Sequence, residues 1–347
     1  MDERGHSYAS AGVDIDAAQR SLRNVTDAVK ATYNARTLGG IGGFGAMFSG
    51  EFPELTKPVL VSSIDGVGTK TKVAQMAGDY SNLGRDIVNH CVNDILCQGA
   101  KPLFFLDYFG CSHLDSEAFE SVVIGAAEAC AAVDCVLIGG ETAEMPGVYT
   151  DGEIDIVGTI VGVVDAEQKL PRGIQKPGDR IIGLASNGLH TNGYSLARKV
   201  LFDHAGLSVR DPLPGTEDLT IADALLAPHT CYFNAVYPLI QQFPGISAVA
   251  HITGGGLTDN LPRVLQYEVQ AKIIKRSWTP LPIFEAIQTL GKVDDADMYR
   301  TFNMGIGMVI VVDADEAGSV LNALSESGVY AAEIGKLSTG SRDVQIV

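Results

Sequence analysis

Short β-branched runs alternate with longer amphipathic stretches along this chain, and two of the runs end in glycine and an acid. PVLVSSI (58–64) leads into Asp65-Gly66, and CVLIGG (135–140) leads into Glu141. Such alternation calls for helices laid over a sheet, an α/β organisation. The first half reads as a helix over 13–36, with apolar positions at Val13, Ala17, Leu22, Val25 and Val29, then a glycine-rich loop over 38–50. Strands follow at 58–64, 101–109, 135–140 and 153–165, with helices at 84–99 and 116–132. Gly99 is a left-handed stop signal for the first of those helices. The polar segment 166–178 carries two prolines and two glycines and marks a boundary, giving domains at 1–168 and 169–347. A length of 347 residues also exceeds what one core usually supports. The second half reads as strands at 179–186, 247–253, 305–313 and 329–337. Its helices fall near 193–202, 229–242, from 257, 283–290 and 314–326.

Charge narrows the partners. There are 42 acidic and 25 basic side chains, a net −17 at pH 7. This argues against nucleic acid or an anionic membrane as the main partner. Phosphorylated small molecules remain open, because backbone N–H groups and one or two lysines hold them locally. No stretch reaches the roughly 18 apolar residues of a membrane span. MDERGHSYAS lacks the apolar run of a signal peptide, so the expected location is the cytoplasm. The six cysteines form no CxxC and sit in apolar contexts such as DCVLI, as reduced core thiols do.

The candidate chemistry lies at strand ends. Asp65 follows an apolar strand, where ligands gather in open α/β sheets. Gly66 and Gly68 permit a tight turn with exposed N–H groups, and Lys70 offers a charge to a phosphate. An ordinary Asp-Gly turn has the same composition. On helix 84–99, Asp86, His90 and Asp94 recur at i, i+4, as do Asn89 and Asn93, opposite the stripe of Ile87, Val88, Cys91, Ile95 and Leu96. That polar face lacks lysine, arginine and glutamate over 86–96, and short oxygen-bearing side chains suit a hard cation such as Mg²⁺. A plain polar face is the other reading. Glu141 again ends a strand. Convergence of Asp65, Asp94 and Glu141 would require a cation to neutralise it. In the second half, His190, Asn192 and Gly193 lie where a helix begins, a place that favours anions. His190 is a candidate acid, base or charge stabiliser. Gly254, Gly255 and Gly256 open another helix and read either as a phosphate nest or as a tight turn. Gly40 to Gly45 matches GxGxxG, but a helix rather than a strand precedes it, so the dinucleotide fingerprint fails. GxxxxGK[ST] is absent. His6, His113, His204 and His229 show no ligand-like spacing.

Nine segments together resemble the phosphoribosylformylglycinamidine cyclo-ligases, or AIR synthetases. They are AGVDID (11–16), GGFGA (42–46), DGVGTK (65–70), CVNDIL (91–96), QGAKPLFFLDYF (98–109), GGETAEMPGVY (139–149), NGYSLARK (192–199), HITGGG (251–256) and MYRTFNMGIGM (298–308). The likeness spans essentially the whole chain. It implies a two-domain PurM-like fold in which the N-terminal sheets of a homodimer join into a barrel, with a C-terminal α/β domain. It implies ATP-dependent closure of formylglycinamidine ribonucleotide to aminoimidazole ribonucleotide, with Mg²⁺ and a stimulating K⁺. Carried over, Asp65, Asp94 and Glu141 are the metal set. Gly43, Phe44, Gly45, Asp65, Gly66, Gly68, Thr69, Lys70, Asn93 and Asp107 hold the nucleotide. His190, Lys70 and Asp94 are catalytic, and His190, Asn192 and Gly254–Gly256 face the substrate. Related ATP-using enzymes, the formylglycinamidine ribonucleotide and selenophosphate synthetases, are the alternative. The latter use a reactive cysteine near the N-terminal glycine loop, and residues 1–50 contain none. Three places depart from the family pattern: Ala9 replaces a common cation, Ile64 a common threonine, and the pair Asn89-His90 stands where small or apolar residues are usual.

Overall fold

The computed structural model describes residues 15–347. Ala9, Val13 and most of AGVDID lie outside the described residues. Helix α1 (Ile15–Lys30) precedes the glycine-rich loop. Then come β1 (Pro58–Gly66), α2 (Lys70–Ala77), α3 (Leu83–Leu96), β2 (Lys101–Cys111), α4 (Ser116–Ala131), β3 (Val136–Glu144) and β4 (Ile154–Asp165). These strands form one sheet in the order β1-β4-β2-β3. Strand β4 is antiparallel to both neighbours, whereas β2 and β3 run parallel around α4. The sheet is mixed.

One face of this sheet is covered. Ile87, Val88, Cys91 and Ile95 of α3 are fully buried against it. Helices α3 and α4 cross closely at Gly84, where a Cβ would strike the Val122 carbonyl oxygen. Asp115 caps α4 by accepting hydrogen bonds from the Glu117 and Ala118 amides. The alternation of β1 sends Val61, Ser63 and Asp65 toward α3. It sends Leu60 and Ile64 outward, where they are 63% and 65% exposed. Strands β1 and β3 are the two edges.

The second half is built on a six-stranded sheet ordered β10-β7-β9-β5-β8-β6. Its strands are β5 (Arg180–Ala185), β6 (Ile246–His251), β7 (Val269–Ile273), β8 (Ile306–Val312), β9 (Ala331–Thr339) and β10 (Val344–Ile346). All pairs are antiparallel except β10 with β7. Strands β6 and β8 are buried along their entire length, which suits their largely apolar sequences, with Ser247 and His251 the polar residues of β6. Around them lie α5 (Tyr194–Arg198), α6 (Ile221–Leu226), α7 (Phe233–Gln242), α8 (Gly256–Asn260), α9 (Pro282–Gly291), α10 (Asp295–Thr301) and α11 (Ala317–Glu326). The helix expected near 193–202 divides into α5 and a wider turn over Lys199–His204. The helix expected from 229 starts at Phe233, because residues 227–232 are irregular and gripped from the first half.

Candidate functional site

The polar face of α3 performs that gripping. Lys70 Nζ sits 2.7 Å from Asp86 Oδ2, and both side chains are wholly buried. Lys70 also donates to the Ala227 carbonyl at 2.8 Å. Asp86 accepts from the His229 amide at 2.7 Å. Asn89 donates to the His229 carbonyl at 2.7 Å. Asn93 donates to the Thr230 carbonyl at 2.8 Å and accepts from the Tyr232 amide at 3.0 Å. An irregular segment without sheet partners needs such bonds to satisfy its buried backbone. Two residues are thus placed differently from the expectation. The structure places Lys70 in a buried ion pair rather than as a free charge, and Asn93 as a clamp between the two halves. Burial pushes the Lys70 ammonium down and the Asp86 carboxyl up, and each restrains the other.

Beside the clamp lies a cluster of ionisable groups. His90 Nε2 is 3.2 Å from Asp65 Oδ2 and 3.9 Å from Asp94 Oδ2. Asp94 accepts from Ser63 Oγ at 3.0 Å and bonds His251 Nδ1 at 2.8 Å. His251 Nε2 meets His229 Nε2 at 2.9 Å. Thr191 Oγ1 lies 2.7 Å from His90 Nδ1 and 3.4 Å from His229 Nδ1. Burial pushes the Asp94 carboxyl up, but the His251 hydrogen bond, the two imidazoles and Ser63 together outweigh it and hold the group at about 2. Burial pushes the His90 imidazole down, and the contacts with Asp65 and Asp94 more than reverse this. His229 and His251 fall below the usual range because both are buried. Asp65 and Asp94 therefore meet, as expected. His229, His251, Thr191 and Ser63 are members that sequence reasoning did not single out. His251 had a signal, since it ends a buried strand directly before three glycines. His229 had none.

His190 is placed differently from the expectation. It is 1% exposed, with φ 62°, and its ring stacks on His229 at 4.0 Å. Its Nδ1 is buried without a partner. Burial holds this imidazole well below its ordinary range, so it is neutral. It is not an exposed acid or base at a helix start; it is packed into the seam. Asn192 does approach the glycine loop: a Cβ at Gly254 would come within 3.2 Å of Asn192 Oδ1. Asn260 Nδ2 ties that loop by donating to the carbonyls of Thr253, Gly254 and Gly256 at 3.2, 3.2 and 2.9 Å. At Gly256 a Cβ would strike the Tyr299 carbonyl, so only glycine fits.

Glu141 belongs to a second site. A cavity of about 380 Å³ opens beneath the glycine-rich loop, lined by Gly42–Ala46, Asp107, Glu141, Val25, Val29 and Phe119 among others. The loop is closed at its base by the Leu38 amide on the Met47 carbonyl and the Ser49 amide on the Arg36 carbonyl, at 2.9 and 2.8 Å. Phe44 at its tip is fully exposed. Burial raises the Asp107 carboxyl to about 6. Asp65 pairs with Gly158, Gly158 with Asp107, and Asp107 with Gly140. Asp65 and the Glu141 strand are thus separated by two intervening strands, about 14 Å at the usual strand spacing. This corrects the expected convergence: within one chain, Asp65 and Asp94 share a site and Glu141 does not.

The chain matches the family model for the AIR synthase related protein N-terminal domain over residues 54–164, and that for the C-terminal domain over 176–347. It is 46% identical over 350 residues to phosphoribosylformylglycinamidine cyclo-ligase of Geotalea uraniireducens, covering all of both chains. The chain belongs to the phosphoribosylformylglycinamidine cyclo-ligase family. The cyclo-ligase of Syntrophotalea carbinolica is 47% identical over 338 residues, with 96% of each chain covered. Solved structures share the fold at lower identity. A hydrogenase maturation protein HypE in complex with ATP aligns with a TM-score of 0.70 and 19% identity, over 96% of this chain and 92% of that one. Thiamine-monophosphate kinase from Stenotrophomonas maltophilia aligns at 0.67 and 18%, over 93% and 95%. Against the family pattern, Ile64 turns outward on β1 and His90 stands at the centre of the cluster.

Proposed function

We propose that this chain catalyses ATP-dependent closure of formylglycinamidine ribonucleotide to aminoimidazole ribonucleotide, a cytoplasmic step of purine biosynthesis. The observation that carries this reading is the 46% identity along the full length to a cyclo-ligase. In the reaction the γ-phosphoryl group of ATP passes to the formamide oxygen, giving ADP. A nitrogen of the substrate then attacks the activated carbon. The new C–N bond forms as the C–O bond to phosphate breaks, and phosphate and a proton leave. An amide oxygen is a poor leaving group until it is phosphorylated, so the protein's task is alignment and charge stabilisation.

The domains divide at 168/169 in this reading, with the nucleotide on the first and the substrate on the second. The cavity beneath Gly43, Phe44 and Gly45 takes the nucleotide base against Val25, Val29 and Phe119. Asp65, Gly66, Gly68 and Thr69 border the phosphates, and K⁺ stimulates. The oxygen donors Asp65, Asp94 and Glu141 fit Mg²⁺: Asp94 is held ionised, and the other two are partly exposed. Bound Mg²⁺ neutralises charge on the phosphate oxygens. Asn192 and Gly254–Gly256 face the substrate phosphate, with His190 supporting their loop from behind.

The separation of Glu141 from Asp65 has a natural resolution in a homodimer. Among the described residues β1 pairs only with β4, and β3 only with β2, so both edges have unmatched backbone groups. Two four-stranded sheets that close on one another form an eight-stranded barrel with a filled interior, and the outward Leu60 and Ile64 supply apolar filling. When β1 of one copy abuts β3 of the other, Asp65 and Asp94 meet Glu141 of the partner subunit. Each nucleotide then lies in the cavity of one chain with its phosphates at the acids of the other. A coupled assay for the aminoimidazole product tests the reaction. ATP-dependent product formation is expected, and ATP turnover without ring closure would overturn the assignment.

A further inference from the structure

We propose that His90, His251 and Asp94, with Asp65 beside them, form a binding site for a borderline transition metal ion such as Zn²⁺, distinct in its chemistry from a Mg²⁺ site. One ligand atom from each of His90, Asp94 and His251 falls within 4.8 Å of the others. His251 Nδ1 lies 2.8 Å from Asp94 Oδ1, and His90 Nε2 lies 3.9 Å from Asp94 Oδ2 and 3.2 Å from Asp65 Oδ2, values on either side of the spacing of two ligands on one tetrahedral zinc, about 3.3 Å. Imidazole nitrogen favours zinc, cobalt and nickel, whereas magnesium prefers oxygen.

The outer hydrogen bonds are already those a metal-bound form requires. A ligating imidazole donates its second N–H to a fixed acceptor. If His90 binds through Nε2, its Nδ1–H points at Thr191 Oγ1, 2.7 Å away. If His251 binds through Nδ1, its Nε2–H points at His229 Nε2, 2.9 Å away. His229 then donates its Nδ1–H to the same Thr191 oxygen at 3.4 Å. A hydroxyl oxygen has two lone pairs and accepts both.

Hydrogen counting favours this form. Without a metal, the chain Asp65–His90–Thr191–His229–His251–Asp94 contains five links, each needing one hydrogen. Three neutral imidazoles and one hydroxyl bring four. The metal-free cluster must hold an additional proton or leave a link unmade. A dication takes the place of the hydrogens at both carboxylate ends. The three remaining links are then filled by three neutral imidazoles. Binding uses the carboxylates that the proposed Mg²⁺–nucleotide site also uses.

The test needs no nucleotide and so does not depend on the cyclo-ligase reading. The chelator-stripped protein is equilibrated with Zn²⁺ and bound metal is counted after desalting, with Co²⁺ absorption reporting the ligands. One ion per chain is expected, with a Co²⁺ spectrum lacking a thiolate band. His90→Ala should abolish binding, with circular dichroism reporting the fold. Thr191→Val leaves every ligand in place and should weaken binding tenfold or more. Wild-type protein that binds no Zn²⁺, undiminished binding by folded His90→Ala or by Thr191→Val, or a thiolate band would overturn the proposal.

Discussion

Replacing Lys70 with methionine separates the buried clamp from a phosphate contact. The methionine keeps the length of the side chain and removes its charge. Asp86, wholly buried, then faces no cation, although it still accepts from the His229 amide. An uncompensated buried carboxylate takes up a proton. With an unfolded value of about 3.9, protonating it at pH 7 costs about 4 kcal/mol, at roughly 1.4 kcal/mol per pH unit. The loss therefore reaches about 4 kcal/mol at pH 7, within the range for breaking a buried pair, and shrinks to about 1.5 kcal/mol at pH 5. The sign follows from linkage: the variant's folded state holds the Asp86 proton that its unfolded state releases, so its stability falls as pH rises above 3.9. Urea unfolding followed by circular dichroism at pH 5 and pH 7 reads both values. Lys70→Met/Asp86→Asn, which keeps an acceptor for the His229 amide, should recover most of the stability and lose the pH slope. Unchanged stability of Lys70→Met at pH 7, with a large rise in KM for ATP, would refute the clamp.

Two further substitutions probe the carboxylates. Asp94 is held at about 2, below its ordinary 3.8, so it stabilises the fold by about 2 kcal/mol above pH 4. This contribution is lost as pH falls through 2, and the stability gap between wild type and Asp94→Asn should narrow over that window in acid unfolding curves. Asp107 is shifted the other way, from 3.8 to about 6, so its ionisation weakens the fold as pH rises. Asp107→Asn should stabilise the protein by about 2–3 kcal/mol at pH 7 and by nothing measurable below pH 4, as thermal unfolding across pH would register.

Much of the fold was legible because periodicity reports which face of an element is buried. Helix 84–99 appears as Leu83–Leu96, its apolar stripe fully buried, and Gly99 beyond it has φ 76°. Strand 153–165 appears as Ile154–Asp165. Helix α2 escaped because it is short and its apolar pattern is weak, although Thr69 and the left-handed Gly78 flank it at the two cap positions. The site was legible in part. Periodicity placed Asp86, Asn89, Asn93 and Asp94 together on one face, but it does not say what that face meets, and most of it meets the backbone of 229–232. Asp65 lies at the end of β1 as expected, whereas β3 runs on to Glu144 and carries Glu141 within it. Their separation depends on strand order: β4, last in sequence, inserts between β1 and β2 and places β1 and β3 at opposite edges. His229 was invisible because its position comes from a loop anchored by Asp86 and Asn89 rather than from any local pattern.

The claim that the acids of one chain serve the nucleotide of the other is tested most directly by complementation. Asp65→Ala and Glu141→Ala homodimers should each be inactive. A heterodimer pairing one Asp65→Ala chain with one Glu141→Ala chain, isolated through two different tags, contains one interface where intact Asp65 faces intact Glu141 of the partner subunit. Ring-closing activity should return in that heterodimer. If it stays as inactive as its parents while remaining folded and dimeric, Asp65 and Glu141 do not act across the interface.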